Sequence, residues 1–235
     1  MATFVLVHGS FQGGWCWQKV ARLLRQSGHE VYTPTLTGMG ERSHLVTPQT
    51  GLNLHIQDLR QVLEYEDLRQ AVLVGHSYAG LVIAGAAELA PQRLSRLIYL
   101  DAFIPHDGQS AFDSMPGIAE QWLQMAAASG QGFLVPPMSP AQLGITDPVD
   151  AAWALSRLTP MPLLTHQQPI HLSSSAARQL PCTYILCTQF GFHATAREAQ
   201  GLGWDSFRLE TGHDAMITLP NELAQTLKQS IAAKH

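Results

Sequence analysis

Short apolar runs rich in Val, Ile, Leu and Tyr recur at 4–7, 31–36, 71–74, 97–100 and 184–186, with a weaker one at 207–209. Runs this short do not by themselves separate a strand from a buried helix. The stretches between them decide the matter. Residues 15–26 place Trp17, Val20, Leu23 and Leu24 on one helical face, and 53–66 do the same with Leu54, Ile56, Leu59, Val62 and Leu63. Residues 78–89 are small and apolar all round, as in a buried helix. Helical segments at 195–200 and 220–232 complete the series. Strand and helix alternate, which predicts an α/β fold: a mostly parallel sheet of about six strands with helices on both faces.

The alternation breaks between 104 and 180. That stretch holds nine of the fourteen prolines together with Trp122, Trp153, Met115, Met125, Met138 and Met161. Helical patches at 118–128 and 149–158 are its only periodic segments, and no strand is evident. It reads as a lid inserted into a single domain whose core is 1–103 and 181–235. A lid there would cross the C-terminal edge of the sheet, where open α/β sheets bind ligands. Phe11, Phe103, Trp122, Met125, Trp153 and Met216 are the candidate residues for an apolar pocket beneath it.

Composition narrows the class. Of the 235 residues 46% are apolar and 14% charged, below the roughly 25% charge usual in soluble domains. That excludes disorder and predicts a large core or an apolar cavity. The net charge of −4, with no Lys/Arg run, excludes a nucleic-acid surface. No apolar stretch approaches the roughly 18 residues of a membrane span. Met1 to Val7 reads as a strand, with no basic start of the kind a signal peptide carries. Cys182 and Cys187, five apart on one strand, face opposite ways. With an odd total of three, the cysteines read as reduced thiols of a cytoplasmic protein.

The strongest local signal is Val72-Leu73-Val74-Gly75-His76-Ser77-Tyr78-Ala79-Gly80. A strand enters a sharp turn with Ser77 at its apex and passes directly into a buried helix, the setting of a nucleophile elbow. The second glycine of the G-x-S-x-G pattern is Ala79, which is still small. Serine needs a base within hydrogen-bond reach, and in this architecture the histidine comes last, after the final strand. His213, in Glu210-Thr211-Gly212-His213-Asp214-Ala215-Met216, occupies that place. His8 and His76 flank the nucleophile and read as residues that order its loops. Oxyanion donors are expected from the Tyr78 amide and from the loop after the first strand, His8-Gly9-Ser10-Phe11-Gln12-Gly13-Gly14-Trp15, where the Ser10 amide is the choice. That loop lacks both the Lys and the spacing of a nucleotide-binding loop.

Together Phe4-Val5-Leu6-Val7-His8-Gly9-Ser10, Gly13-Gly14-Trp15, Gly75-His76-Ser77 and Gly212-His213-Asp214-Ala215-Met216 resemble the α/β-hydrolase superfamily. Within it the nearest likeness is to the branch of plant methylesterases (salicylate-binding esterases) and hydroxynitrile lyases, with bacterial esterase relatives. The resemblance spans nearly the whole chain and is weakest in the lid. It implies Ser77 as nucleophile, His213 as base, and the Ser10 and Tyr78 amides as the oxyanion hole. One feature departs from the plant branch. Where that branch carries its Asp, after the penultimate strand, this chain has Phe190. Some hydrolases of this fold carry the acid at the end of the strand after the elbow helix, and Asp101 stands there. A charged residue closing a buried strand at this edge suits the orientation of an imidazolium. Asp214 would have to reach back to its own neighbour's ring, and Glu198 falls on a surface helix.

The expectation is a carboxylesterase-type serine hydrolase. It would act on small, largely apolar esters through an acyl-enzyme, with no metal or other cofactor needed. The partner is a small-molecule ester, with neither nucleic acid nor membrane involved, and a homodimer is suggested by the resemblance alone. Two rival readings stand beside it. Hydroxynitrile lyases carry Thr at the position of Gly9 and Lys directly after the histidine, where this chain has Asp214, which would repel cyanide. A ligand-binding or sensing protein on a hydrolase scaffold is opposed by the complete Ser77–His213 pair, and turnover separates the two.

Overall fold

The computed structural model describes residues 1–128 and 131–232. In chain order it contains β1 (Thr3–Val7), a 3-10 turn (Gly14–Trp17), α1 (Gln18–Gln26), β2 (Glu30–Tyr32), a second 3-10 turn (Gly40–Leu45), α2 (Leu52–Tyr65), β3 (Ala71–His76), α3 (Ala79–Leu89) and β4 (Leu94–Leu100). Between β4 and the next long strand come α4 (Pro116–Ala128), β5 (Leu134–Val135), α5 (Pro148–Leu155), β6 (Met161–Pro162), α6 (Leu164–Gln167) and α7 (Ser175–Arg178). Then follow β7 (Cys182–Cys187), α8 (His193–Gly201), β8 (Asp205–Leu209), α9 (Ala215–Thr218) and α10 (Pro220–Ala232). Six strands form one parallel sheet in the order β2-β1-β3-β4-β7-β8.

Both faces of the sheet are buried, and the two-residue period of the strands sorts their side chains between two cores. Val5, Leu73, Tyr99 and Tyr184 enter the core shared with α2 and α3. Their neighbours Phe4, Leu6, Val74, Ile98 and Ile185 enter the core shared with α1 and α10. The helices obey the same logic. Trp17, Val20 and Leu24 turn inward beside Leu223 and Leu227, whereas α3 is buried on nearly every side between the sheet and α2. Cys182 and Cys187 do face opposite cores.

Connectivity places the crevice. The chain leaves β1 towards α1 on one face of the sheet and leaves β3 towards α3 on the other. Loops departing in opposite directions open a gap at the carboxyl ends of β1 and β3, the place where open α/β sheets bind ligands.

Three expectations need correction. The run 31–36 is a strand only over Glu30–Tyr32. Beyond it the Leu36 amide leaves the sheet to donate to His8 Nε2 at 3.0 Å. The 15–26 helix begins with a separate 3-10 turn. The 104–180 stretch contains strands after all, because β5 and β6 pair antiparallel over two residues each, too few to show a period. Its helical patches appear as α4 and α5, and α5 starts one residue early on the Asp147 side chain, which accepts from the Val149 and Asp150 amides. Lys19 of α1 ties this segment to the core through Asp150 at 2.7 Å.

Candidate active site

Ser77 sits between β3 and α3 with φ +56°, a left-handed conformation that L residues rarely adopt. Such a backbone costs on the order of 1–3 kcal/mol and persists only where its surroundings enforce it. Here the Ser77 amide donates to the Leu100 carbonyl at 3.2 Å, and the Ser77 carbonyl accepts from Phe103 and Gly80 at 3.2 and 3.1 Å. The extension of β4 therefore braces the elbow. Gly75 is required because a Cβ there would lie 2.6 Å from the Ala79 carbonyl oxygen. Ala79, at the position of the missing glycine, is itself accommodated in full burial.

The residue that follows β4 is Asp101. Asp101 also has positive φ, +43°, and its amide donates to the Ile185 carbonyl at 2.7 Å. Asp101 Oδ2 meets His213 Nδ1 at 2.6 Å, and Asp101 Oδ1 accepts from the Cys187 amide at 3.2 Å. The carboxylate is wholly buried and the imidazole nearly so. Burial pushes the carboxyl upward and the Cys187 amide opposes it, while burial lowers the His213 imidazole. With the carboxylate ionised, this short bond takes the imidazole proton on Nδ1 and leaves Nε2 with its lone pair.

His213 is held on its other sides by rings. Phe190 stacks on it with centroids 4.0 Å apart and planes at 20°, Phe192 lies behind at 5.7 Å, and His76 is 4.3 Å away. The His76 ring donates from Nε2 to the His213 carbonyl at 3.1 Å, so it orders the histidine loop as expected. His8 orders the other loop through the Leu36 amide. A Cβ on Gly9 would lie 2.9 Å from the Ser77 Cβ, which brings the backbone leading to Ser10 directly against Ser77.

These groups open on one cavity of about 510 Å³, lined by Ser10, Ser77 and His213 together with Phe11, Phe103, Trp122 and Met125. Trp153 and Met216 do not line it. Trp153 packs edge-on against Trp15 at 5.1 Å, and Met216 is fully buried in the core on the α1 and α10 side. Residue type and a place near the lid do not say which side of the sheet a side chain reaches. Glu198 lies on α8 and bonds to His106 at 2.9 Å.

Two polar groups escaped the sequence reading. Gln12 Nε2 donates to Asp214 Oδ2 at 2.7 Å, tying the loop after β1 to the histidine loop across 202 residues. His166, from the segment between β4 and β7, lies 3.3 Å from Ser10 Oγ inside the cavity. Neither has a local pattern that could have exposed it. Among the described residues no group of three or more His, Cys, Asp or Glu is arranged to hold a metal ion. None of the described helices is long and apolar enough to cross a membrane.

A family model described as the alpha/beta hydrolase family matches residues 4–226. Over 240 residues the chain is 36% identical to a carbendazim hydrolyzing esterase of Nocardioides sp. (strain SG-4G), covering 97% of this chain and 98% of that one. It is 27% identical over 261 residues to methylesterase 10 of Arabidopsis thaliana, covering 99% and 92%. Among solved structures, an extracellular alpha/beta-hydrolase from a Paenibacillus species is described as sharing structural and functional homology with tobacco salicylic acid binding protein 2. It aligns with a TM-score of 0.87 at 26% identity, over 98% of this chain and 99% of that one.

Proposed function

We propose that this chain, which belongs to the alpha/beta hydrolase family and is an esterase-type hydrolase, cleaves carboxylic esters of small, largely apolar acids with a Ser77–His213–Asp101 triad. The observation that carries the reading is the 2.6 Å Asp101–His213 bond at the wall of a cavity that also holds Ser77 in its left-handed turn.

In the first half-reaction His213 Nε2 takes the Ser77 proton as Oγ attacks the ester carbonyl. The developing oxyanion is held by the Ser10 and Tyr78 amides. Tyr78 directly precedes α3, whose N-terminus favours negative charge. One such donor typically contributes about 3 kcal/mol to the transition state. His213 then protonates the departing alkoxide, leaving an acyl-Ser77. Water, deprotonated by the same nitrogen, releases the acid and restores Ser77. Asp101 keeps the imidazole in the Nδ1–H tautomer and stabilises the imidazolium.

The segment 104–180 serves as the lid over this cavity. Its rings and methionines, Trp122 and Met125 among them, favour apolar acyl groups. The three free cysteines support a cytoplasmic setting. A homodimer is part of the same proposal and rests on family likeness.

The test is hydrolysis of p-nitrophenyl butyrate together with labelling by diethyl p-nitrophenyl phosphate. A phosphoryl adduct on the Ser77 peptide, with hydrolysis abolished in Ser77→Ala, is the expected result. Hydrolysis that persists in Ser77→Ala would overturn the mechanism.

A further inference from the structure

The loop after β1 is strained one residue away from the Ser10 amide. Phe11 has φ +67°, a left-handed backbone that is an outlier for so bulky a side chain. Such a conformation relaxes unless its neighbours enforce it. Two bonds hold it. The Thr159 amide donates to the Phe11 carbonyl at 2.9 Å, and Gln12 Nε2 donates to Asp214 Oδ2 at 2.7 Å. Phe11 lies between Ser10 and Gln12, so whatever clamps Gln12 also fixes the backbone that carries the Ser10 amide.

Asp214 is the fixed end of the clamp. Its amide donates to the Leu143 carbonyl at 3.2 Å, and its own carbonyl accepts from the Ile217 and Thr218 amides at 2.9 and 3.1 Å. Two residues earlier, a Cβ on Gly212 would lie 2.6 Å from the Gly144 Cα, so the histidine loop is packed backbone to backbone. Stability alone does not account for the pair. Gln12 is 1% exposed and Asp214 fully buried, yet Gln12 Oε1 and Asp214 Oδ1 find no hydrogen bond among the described residues. Burying polar groups that are only half satisfied is costly, and apolar side chains of the same shape commonly serve stability as well or better. What apolar contact lacks is direction, and a directed bond is what a strained loop beside the reacting atoms requires.

We propose that Gln12 and Asp214 are positioning residues, whose mutual bond holds the Ser10 amide on the oxyanion in register with His213, the residue that Asp214 follows. The role rests on the esterase reading above.

Replacing both partners by apolar side chains of similar shape separates position from stability. The double variant Gln12→Met, Asp214→Leu should keep a thermal midpoint close to that of the wild type. On p-nitrophenyl butyrate its kcat should fall about ten-fold while KM stays within about two-fold, the mark of an interaction made only in the transition state. Pentyl trifluoromethyl ketone reads the same geometry without turnover. Ser77 Oγ adds to its carbonyl, the Ser77 proton passes to His213 Nε2, and the carbonyl oxygen takes the negative charge. Its inhibition constant should rise about ten-fold in the double variant. Asp214→Asn keeps an oxygen acceptor for Gln12 and should recover most of both losses. If the double variant does not fold, Gln12→Met alone is read in the same way. A folded variant without the bond that keeps wild-type kcat and inhibition, or whose loss lies in KM, overturns the positioning role. So does an Asp214→Asn enzyme as slow as the double variant. A wild type that neither hydrolyses the ester nor binds the ketone overturns the esterase reading, and the positioning role with it.

Discussion

The ends of β4 and β7 both converge on His213, yet they serve it in different ways. The end of β4 turns through the left-handed Asp101 and delivers a carboxylate to the edge of the imidazole, 2.6 Å from Nδ1. The end of β7 contributes the Cys187 amide to that same carboxylate and then lays the Phe190 ring over the face of the imidazole at 4.0 Å. One strand supplies charge at the ring edge and the other supplies an apolar wall. The acid can orient the ring because backbone donors and acceptors hold it in place, not because of its distance along the chain.

A second carboxylate sharpens the contrast. Asp214 is as buried as Asp101, and burial pushes each up to about 7. Asp214 Oδ2 accepts from Gln12, while Oδ1 finds no hydrogen bond among the described residues and sits 3.7 Å from His76 Nε2. Asp214 therefore ties two loops together, whereas Asp101 bonds to an imidazole that lines the cavity.

The largest expected effect removes the point of convergence: His213→Ala should lower kcat by about 10⁵-fold. Next, placing an acid at the end of β7 should not replace the one on β4. In the double variant Asp101→Asn, Phe190→Asp the new carboxylate starts from the strand end that lays residue 190 over the ring face, whereas Nδ1 points to the end of β4. Its kcat should stay within about ten-fold of Asp101→Asn alone, and recovery of two or more decades would show the two strand ends to be equivalent. Phe190→Ala removes only the apolar wall and should lower kcat about five-fold, since aromatic contacts of this kind contribute about 0.5–1.5 kcal/mol. Gln12→Ala strips Asp214 of its side-chain donor and should cost about 1–3 kcal/mol in urea unfolding at neutral pH.

The smallest effect concerns acid stability. Burial holds His8 and His55 at about 4, His166 at about 3 and His76 well below 6.5. Each is neutral in the folded state and protonated in the unfolded chain below 6.5. Their contribution is thus present above 6.5 and lost as pH falls towards 4. Asp101 and Asp214, both raised by burial, act in the opposite sense between 3.8 and about 7, but the histidines outnumber them. Tm should fall between pH 7 and 5, and His166→Phe should make the unfolding free energy shallower by about one proton.

Most strands and helices were legible because a two-residue or 3.6-residue period survives wherever an element packs on one or both faces. The pairs β5 and β6 were not, since two residues carry no period. Residues 33–36 look strand-like, but the Leu36 amide is claimed by His8. The settings of Ser77 and His213 between a strand and a helix, and of Asp101 at a strand end, were legible in the sequence. Trp153 and Met216 were misassigned because composition does not reveal which face of the sheet a residue meets. Gln12 and His166 escaped notice because their partners, Asp214 and Ser10, lie 202 and 156 residues away.

The central claim is that the acid at the end of β4 orients the catalytic base. Its most direct test is steady-state kcat of Asp101→Asn on p-nitrophenyl butyrate, with folding verified by circular dichroism. A loss of about 10³–10⁴-fold with the fold intact is the predicted result. A folded Asp101→Asn that retains near-wild-type kcat would contradict the account.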